Sequence, residues 1–114
     1  MQVVIRDEPS MNLLGLLLRT RLENATGPIE GEVEVVAGAM HVALRFRGDA
    51  VEVMRGDSRT GEPPKHRARI EGTLSALLDC ARGRGVVRNF VTRAIRVGGD
   101  PRLLFRFARA LGTL

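Results

Sequence analysis

The sequence of 114 residues predicts a single α+β domain, and two patterns carry this prediction. Apolar and charged residues alternate through residues 30–54, which is typical of consecutive short strands whose sheet is covered on one side. The last segment, residues 102–111, instead repeats apolar residues at helical spacing. Because an apolar helix face needs an apolar surface to pack on, we expect this helix to lie on the sheet.

The N-terminal segment predicts one extended stretch and one helix. Val3 to Ile5 fits either a short strand or an extended arm, and Ser10 is a suitable N-cap for a helix from Met11 to about Asn24. Leucines cover much more than one stripe of this helix: Leu13, Leu14, Leu16, Leu17, Leu18 and Leu22. A helix that is apolar on most sides is usually buried on most sides. It is therefore either a core helix with a dimer contact or a lid over a hydrophobic cavity.

A three-strand meander follows, over residues 30–35, 40–47 and 51–54. Its two-residue turns are Ala37-Gly38 and Gly48-Asp49, and the glycine in each is a hairpin signal. A polar loop over 56–65 then leads to a fourth strand over 67–71. We expect the apolar set of all strands to face the helices: Val33, Val35, Val42, Leu44, Phe46, Val51, Val53, Ile70, Ile95 and Val97.

The C-terminal part predicts helix, helix, strand and helix. Thr73 caps a helix that Gly83 and Gly85 stop, and a second short helix over 86–91 precedes a strand over 94–97. Asp100 is a good N-cap, and Pro101 suits the first position of the final helix.

This order of elements, with the segments Ile70-Glu71-Gly72-Thr73-Leu74-Ser75-Ala76-Leu77 and Ile95-Arg96-Val97-Gly98-Gly99-Asp100-Pro101, resembles the sterol carrier protein 2 (SCP2-like) family of lipid-binding domains. The resemblance implies a mixed five-stranded sheet with helices on one face and an apolar tunnel. On this basis residues 1–28 form an N-terminal arm and leucine-rich helix, and residues 29–114 form the SCP2-like domain, within one globular unit.

The function implied by the resemblance is non-catalytic binding or transfer of a lipid or isoprenoid. The alternative is an interaction or scaffold module, for example in isoprenoid-quinone biosynthesis, which some bacterial SCP2-like proteins serve. We expect the ligand between the sheet and the last helix, lined by Leu14, Leu18, Phe46, Phe90, Leu104, Phe105 and Phe107. Phe105 is expected at an entrance, at the flank of the apolar face.

The charge of the chain suggests a second contact. There are 18 lysines and arginines against 13 acidic residues, so the net charge is +5, which permits attraction to anionic lipid or nucleic acid. Arg102, Arg106 and Arg109 form a stripe that we expect to dock on an anionic membrane. Nucleic acid is the less favoured partner because the chain has no Tyr or Trp to stack on bases.

No motif of the sequence points to catalysis, a metal or a cofactor. His41 and His66 have no Cys or acidic residue at metal-ligand spacing, and Cys80 lies in an apolar helix, where an inert thiol is expected. The single cysteine allows no internal disulfide, which agrees with a cytoplasmic setting. We expect no signal peptide, and the leucine cluster is shorter than the ~20 residues that span a bilayer.

Overall fold

The computed structural model describes residues 1–5, 13–25, 28–56, 65–81 and 95–110. These residues form six strands and three helices. In chain order they are β1 (Gln2–Ile5), α1 (Leu13–Glu23), β2 (Ile29–Ala37), β3 (Met40–Gly48), β4 (Ala50–Arg55), β5 (Arg67–Gly72), α2 (Leu74–Ala81), β6 (Ile95–Gly99) and α3 (Pro101–Ala110). The order agrees with the expected one, and the short helix expected over 86–91 lies outside the described residues.

All six strands join one mixed sheet in the order β1-β4-β3-β2-β5-β6. The β1–β4 and β2–β5 pairs are parallel, and the other pairs are antiparallel. The expected number of five strands was wrong, because β1 adds a sixth along the open edge of β4. The backbone N–H of Gln2 donates to the carbonyl of Asp49 at 2.8 Å, so the N-terminal stretch is a strand and not a free arm.

Both turns of the meander are two-residue hairpin turns: the second is the expected Gly48-Asp49, whereas the first is Gly38-Ala39, one residue later than expected, because Ala37 still belongs to β2. Ala37 pairs with Met40 across the first turn, and Arg47 pairs with Ala50 across the second. Each turn needs a residue with positive φ, and Gly38 (φ 61°) and Gly48 (φ 63°) supply it. Because glycine has no Cβ, these angles cost it little, and the register of both hairpins follows from its position.

One face of the sheet carries the core, as the alternation predicts. Leu44 and Phe46 are buried there, and α1 and α3 pack over the same face. α1 contacts β1, β3 and β4, whereas α3 contacts β2 and β5. Val97 is the exception, because 45% of its surface remains exposed. It pairs with Ile70 and so belongs to the expected face, but β6 is an edge strand of the described sheet and the three described helices do not cover it fully.

The leucine-rich helix α1 buries most of its described leucines in this core. Leu14, Leu18 and Leu22 are buried, and Leu17 is half-buried. Leu16 is 41% exposed. A homodimer through this helix stays a prediction, and Leu16 is the part of the helix that such a contact would cover.

The opposite face of the sheet carries alternating charges. Arg45 donates from Nε to the Oε1 atom of Glu32 at 2.9 Å, and both side chains are almost fully buried. Burial of one charge alone would be costly, so the ion pair is what permits Glu32 to be 2% exposed.

Candidate functional site

Four of the seven expected lining residues meet in the core. Leu14, Leu18, Phe46 and Phe107 are buried in a single hydrophobic cluster between the sheet and the helices. The rings of Phe46 and Phe107 contact edge to face, with centroids 5.9 Å apart and an interplanar angle of 66°. At this point β3 and α3 touch directly, so an apolar ligand held here has to lie beside these rings.

The other three expected residues lie elsewhere. Leu104 is half-buried at the rim of the core, and Phe105 is 55% exposed. Phe90 lies outside the described residues. The assignment of the seven residues to a ligand site stays a prediction, and the structure brings four of them together.

An apolar surface with incomplete cover lies at the β5–β6 end of the sheet. Val35, Ile70 and Val97 form one row across β2, β5 and β6 on the helix side. Exposure increases along the row, since Val35 is buried, Ile70 is half-buried and Val97 is exposed. Leu74 and Leu77 of α2 are half-buried against the rim of the same core. The row of Val35, Ile70 and Val97, which we call the aliphatic strip, is therefore accessible to an apolar molecule at its Val97 end.

An open pocket of about 590 Å³ adjoins this strip. Its lining comprises Ala37, Gly38, Glu71, Gly72, Thr73, Leu74 and Arg96. Ala37 and Gly72 are register partners one row beyond Ile70, which places the pocket next to the aliphatic strip. Glu71 and Arg96 are register partners on the outer side of the strands. The pocket thus combines two apolar side chains, Ala37 and Leu74, with the hydroxyl of Thr73 and one acidic and one basic side chain.

Thr73 positions the α2 wall of the pocket. Its Oγ1 atom accepts a hydrogen bond from the backbone N–H of Ala76 at 3.1 Å, which confirms it as the N-cap. The cap starts the helix immediately after β5, so that Leu74 is held at the pocket and Leu77 at the rim of the core.

Asp100 anchors the start of α3 to the sheet. Its Oδ1 atom accepts from the backbone N–H of Arg102 at 2.9 Å, which confirms the expected N-cap, and its own N–H donates to the carbonyl of Arg67 at 2.9 Å. The hydrogen bond from the Arg102 backbone lowers the pKa of the Asp100 carboxyl, and the N–H of Leu103 and the His66 side chain contribute in the same direction against desolvation, which raises it. Helix α3 thus begins at a defined position on β5.

Each histidine has a carboxylate partner that sequence spacing did not suggest. The Nε2 atom of His41 lies 2.8 Å from Glu34 Oε1, and the Nδ1 atom of His66 lies 3.0 Å from Asp100 Oδ2. Residue 34 is on a neighbouring strand and residue 100 is far away in the chain, so only the fold creates these pairs. Within the described residues, no group of three or more His, Cys, Asp or Glu side chains is placed to hold a metal ion.

The three expected docking arginines are all exposed on α3. Arg102 and Arg109 lie on the outward side of the helix beside Phe105, and Arg106 lies on the flank between them and the buried face. The guanidinium carbon of Arg109 is 6.0 Å from the centroid of the Phe105 ring. The expected position of Phe105 at the flank of the apolar face was wrong, because a residue two positions from both Leu103 and Phe107 points away from their common face. In the described parts of the chain, no helix has the length and hydropathy to cross a membrane.

Comparison with known proteins supports the fold. No protein-family model matches the sequence, and a comparison with curated proteins gives no match. Among solved structures, the chain is similar to a protein described as a UbiJ-SCP2 ubiquinone synthesis protein, with a TM-score of 0.56 and 15% identity. The alignment covers 84% of this chain and 78% of the other. The chain therefore has an SCP2-like α+β fold, with six strands in its sheet.

Proposed function

We propose that this SCP2-like domain binds a lipid or another long apolar molecule and catalyses no reaction. The observation that carries the proposal is the aliphatic strip of Val35, Ile70 and Val97, which is exposed at Val97 and adjoins the open pocket. Leu74 and Leu77 of α2 are half-buried against the same core. A ligand recognised by burial and shape needs such a surface and few polar groups. The likeness to an SCP2-like structure supports the same class of ligand.

The position of the ligand follows from how the core is packed. Because Phe46 and Phe107 already contact each other, we propose that the apolar chain lies along the strip from the pocket toward Leu104. Its polar end then lies in the pocket, whose lining reaches past the strand ends to Glu71 and Arg96 on the other face of the sheet. Burial of each methylene group contributes ~0.8 kcal/mol, so a partly enclosed acyl or prenyl chain is sufficient for micromolar affinity.

A second candidate is a scaffold role in isoprenoid-quinone biosynthesis. The similar solved structure is described as a ubiquinone synthesis protein, and this description favours an isoprenoid over a fatty acid as ligand. The two candidates differ in whether the protein transfers its ligand or presents it to another protein. For either role we propose the cytoplasm as the compartment, since the single Cys80 allows no internal disulfide.

A matched pair of valines tests the binding proposal. Val97 and Val4 lie on the two edge strands and are 45% and 51% exposed, so an aspartate at either position costs little burial. Val97→Asp introduces a charge beside the proposed apolar chain, and we expect it to weaken binding of a fluorescent fatty acid at least about tenfold. Val4→Asp, at the opposite edge, keeps the natural affinity.

The assay is displacement of the fluorescent fatty acid by cellular lipid extracts, followed by mass spectrometry of organic extracts of the natural protein. Recovery of a prenylated or acylated molecule supports the proposal and identifies the ligand class. If the folded natural protein neither binds the probe nor carries a lipid, binding is excluded and the interaction-module alternative is preferred. Equal losses in the two valine variants would place the ligand elsewhere.

A further inference from the structure

Helix α3 presents an outward face that consists of one phenylalanine and three arginines. Phe105 is 55% exposed, whereas Leu103 and Phe107 are 3% and 2% exposed. At 100° per residue, Phe105 points directly away from that buried pair. Around the helix axis Arg109, Arg102 and Arg106 follow on one flank of Phe105, at about 40°, 60° and 100° from it, and Pro101 and Ala108 lie on the other flank. The helix contains no acidic residue, so the outward face combines an apolar strip with a purely cationic one beside it.

This arrangement fits a surface that is both apolar and anionic. A half-exposed phenylalanine gains free energy when its ring leaves water, and arginines have long apolar stems that let the guanidinium groups stay at a polar boundary. Helices that lie in the interface of a membrane combine these two features, with apolar side chains below the headgroups and basic ones among them.

We propose that the outward face of α3 docks on an anionic lipid membrane, with Phe105 inserted among the acyl chains and Arg102, Arg106 and Arg109 at the headgroups. The inference goes beyond the proposed function, because it requires no ligand in the pocket. It also assigns Phe105 to the membrane contact and not to the lining of the ligand site.

Charge complementarity alone would also suit nucleic acid, but the aromatic side chain favours the membrane. Binding of single strands uses several aromatic platforms on which successive bases stack, and the chain has no Tyr or Trp. Phe105 is the one exposed aromatic residue in the described parts of the chain. An apolar phase is the environment in which a single outward ring is buried best.

The test is co-sedimentation with vesicles of phosphatidylcholine, and with vesicles of equal parts phosphatidylcholine and phosphatidylglycerol. We expect binding to the mixed vesicles only, reduced by added salt. Phe105→Ser weakens vesicle binding roughly tenfold, because the variant removes less apolar surface from water when it binds. The double variant Arg102→Gln/Arg106→Gln weakens vesicle binding roughly thirtyfold, because each basic residue near an anionic surface strengthens binding roughly fivefold.

Matched controls use exposed residues of the same chemical kind on other surfaces. Leu16→Ser removes an apolar side chain that is 41% exposed on α1, and Arg47→Gln/Arg67→Gln removes two exposed charges from the other side of the sheet. Both controls keep natural vesicle binding if α3 is the docking face. Losses in the controls that equal those in the α3 variants would overturn the proposal.

Two further measurements separate the alternatives. If the folded protein does not bind anionic vesicles but binds a single-stranded oligonucleotide through the same α3 residues, the membrane proposal is wrong and the outward face of α3 binds nucleic acid. In the fatty-acid displacement assay without vesicles, we expect Phe105→Ser to bind the fatty acid with the natural affinity. A loss of fatty-acid affinity in this variant would show that Phe105 contributes to the ligand site. Vesicle binding by a protein that binds no fatty acid and carries no lipid supports docking while excluding the proposed function.

Discussion

The edge-to-face contact between Phe107 and Phe46 makes α3 dependent on one buried ring. Phe107 is 2% exposed, and its ring centroid lies 5.9 Å from that of Phe46. Removal of a buried phenylalanine side chain costs ~3–5 kcal/mol through lost transfer free energy and the cavity that remains. The aromatic pair contributes a further ~0.5–1.5 kcal/mol. We therefore expect Phe107→Ala to remove about a quarter or more of the ~5–15 kcal/mol by which a domain of this size is stable.

Urea unfolding followed by circular dichroism measures this loss. With a slope of ~2 kcal/mol per molar urea, Phe107→Ala lowers the midpoint by about 2 M. Phe105→Ala is the matched control on the same helix, and its ring is exposed and contacts Arg109 at cation–π distance. We expect this control to lose less than about 1 kcal/mol.

A double-mutant cycle with Phe46→Ala isolates the contact between the two rings. The double variant should lose less than the sum of the single losses, by an amount near the aromatic-pair contribution. If Phe107→Ala is no less stable than Phe105→Ala, the inner face of α3 has been assigned incorrectly. Strict additivity with Phe46→Ala would instead refute the direct ring contact.

Two further predictions concern the start of α3. Gly99→Ala is expected to destabilise the chain by ~1–3 kcal/mol in the same urea assay, because Gly99 has φ 92° and a Cβ there would lie 2.7 Å from the Cα of Ala68. Gly98→Ala is the control, since a Cβ at Gly98 would meet nothing within 4 Å. Equal losses of stability in the two variants would contradict the steric argument. The backbone N–H of Arg102 is the chief cause that lowers the pKa of the Asp100 carboxyl in the folded protein. The ionised carboxylate therefore stabilises the fold at pH values above the unfolded pKa of 3.8, and this stabilisation is lost as the pH falls through the lower pKa of the folded state. Between about pH 5 and pH 2 the natural protein should lose more stability than Asp100→Asn, and parallel profiles of the two proteins would contradict this assignment.

Local features of the chain were predictable from the sequence because their causes are local. The alternation of apolar and charged residues defined β2 to β5 and the face that carries Leu44 and Phe46. Gly38 and Gly48 defined the turns, since the positive φ of each is a property of glycine itself. The caps at Thr73 and Asp100 bond to backbone groups two or three residues away, so they also appear in the sequence alone.

The features that only the tertiary structure decided depend on which segments meet across the chain. β1 became a sixth strand because the edge of β4 was open to it, and four residues with alternating exposure fit an arm equally well. The exposure of Val97 follows from the edge position of β6, which alternation does not reveal. The pairing of His66 with Asp100 likewise needs β5 and α3 to meet. The pattern of residues determines which side chains can be buried. Which of them are buried depends on the helix or strand that packs over them, and that packing is specified by contacts between residues distant in sequence.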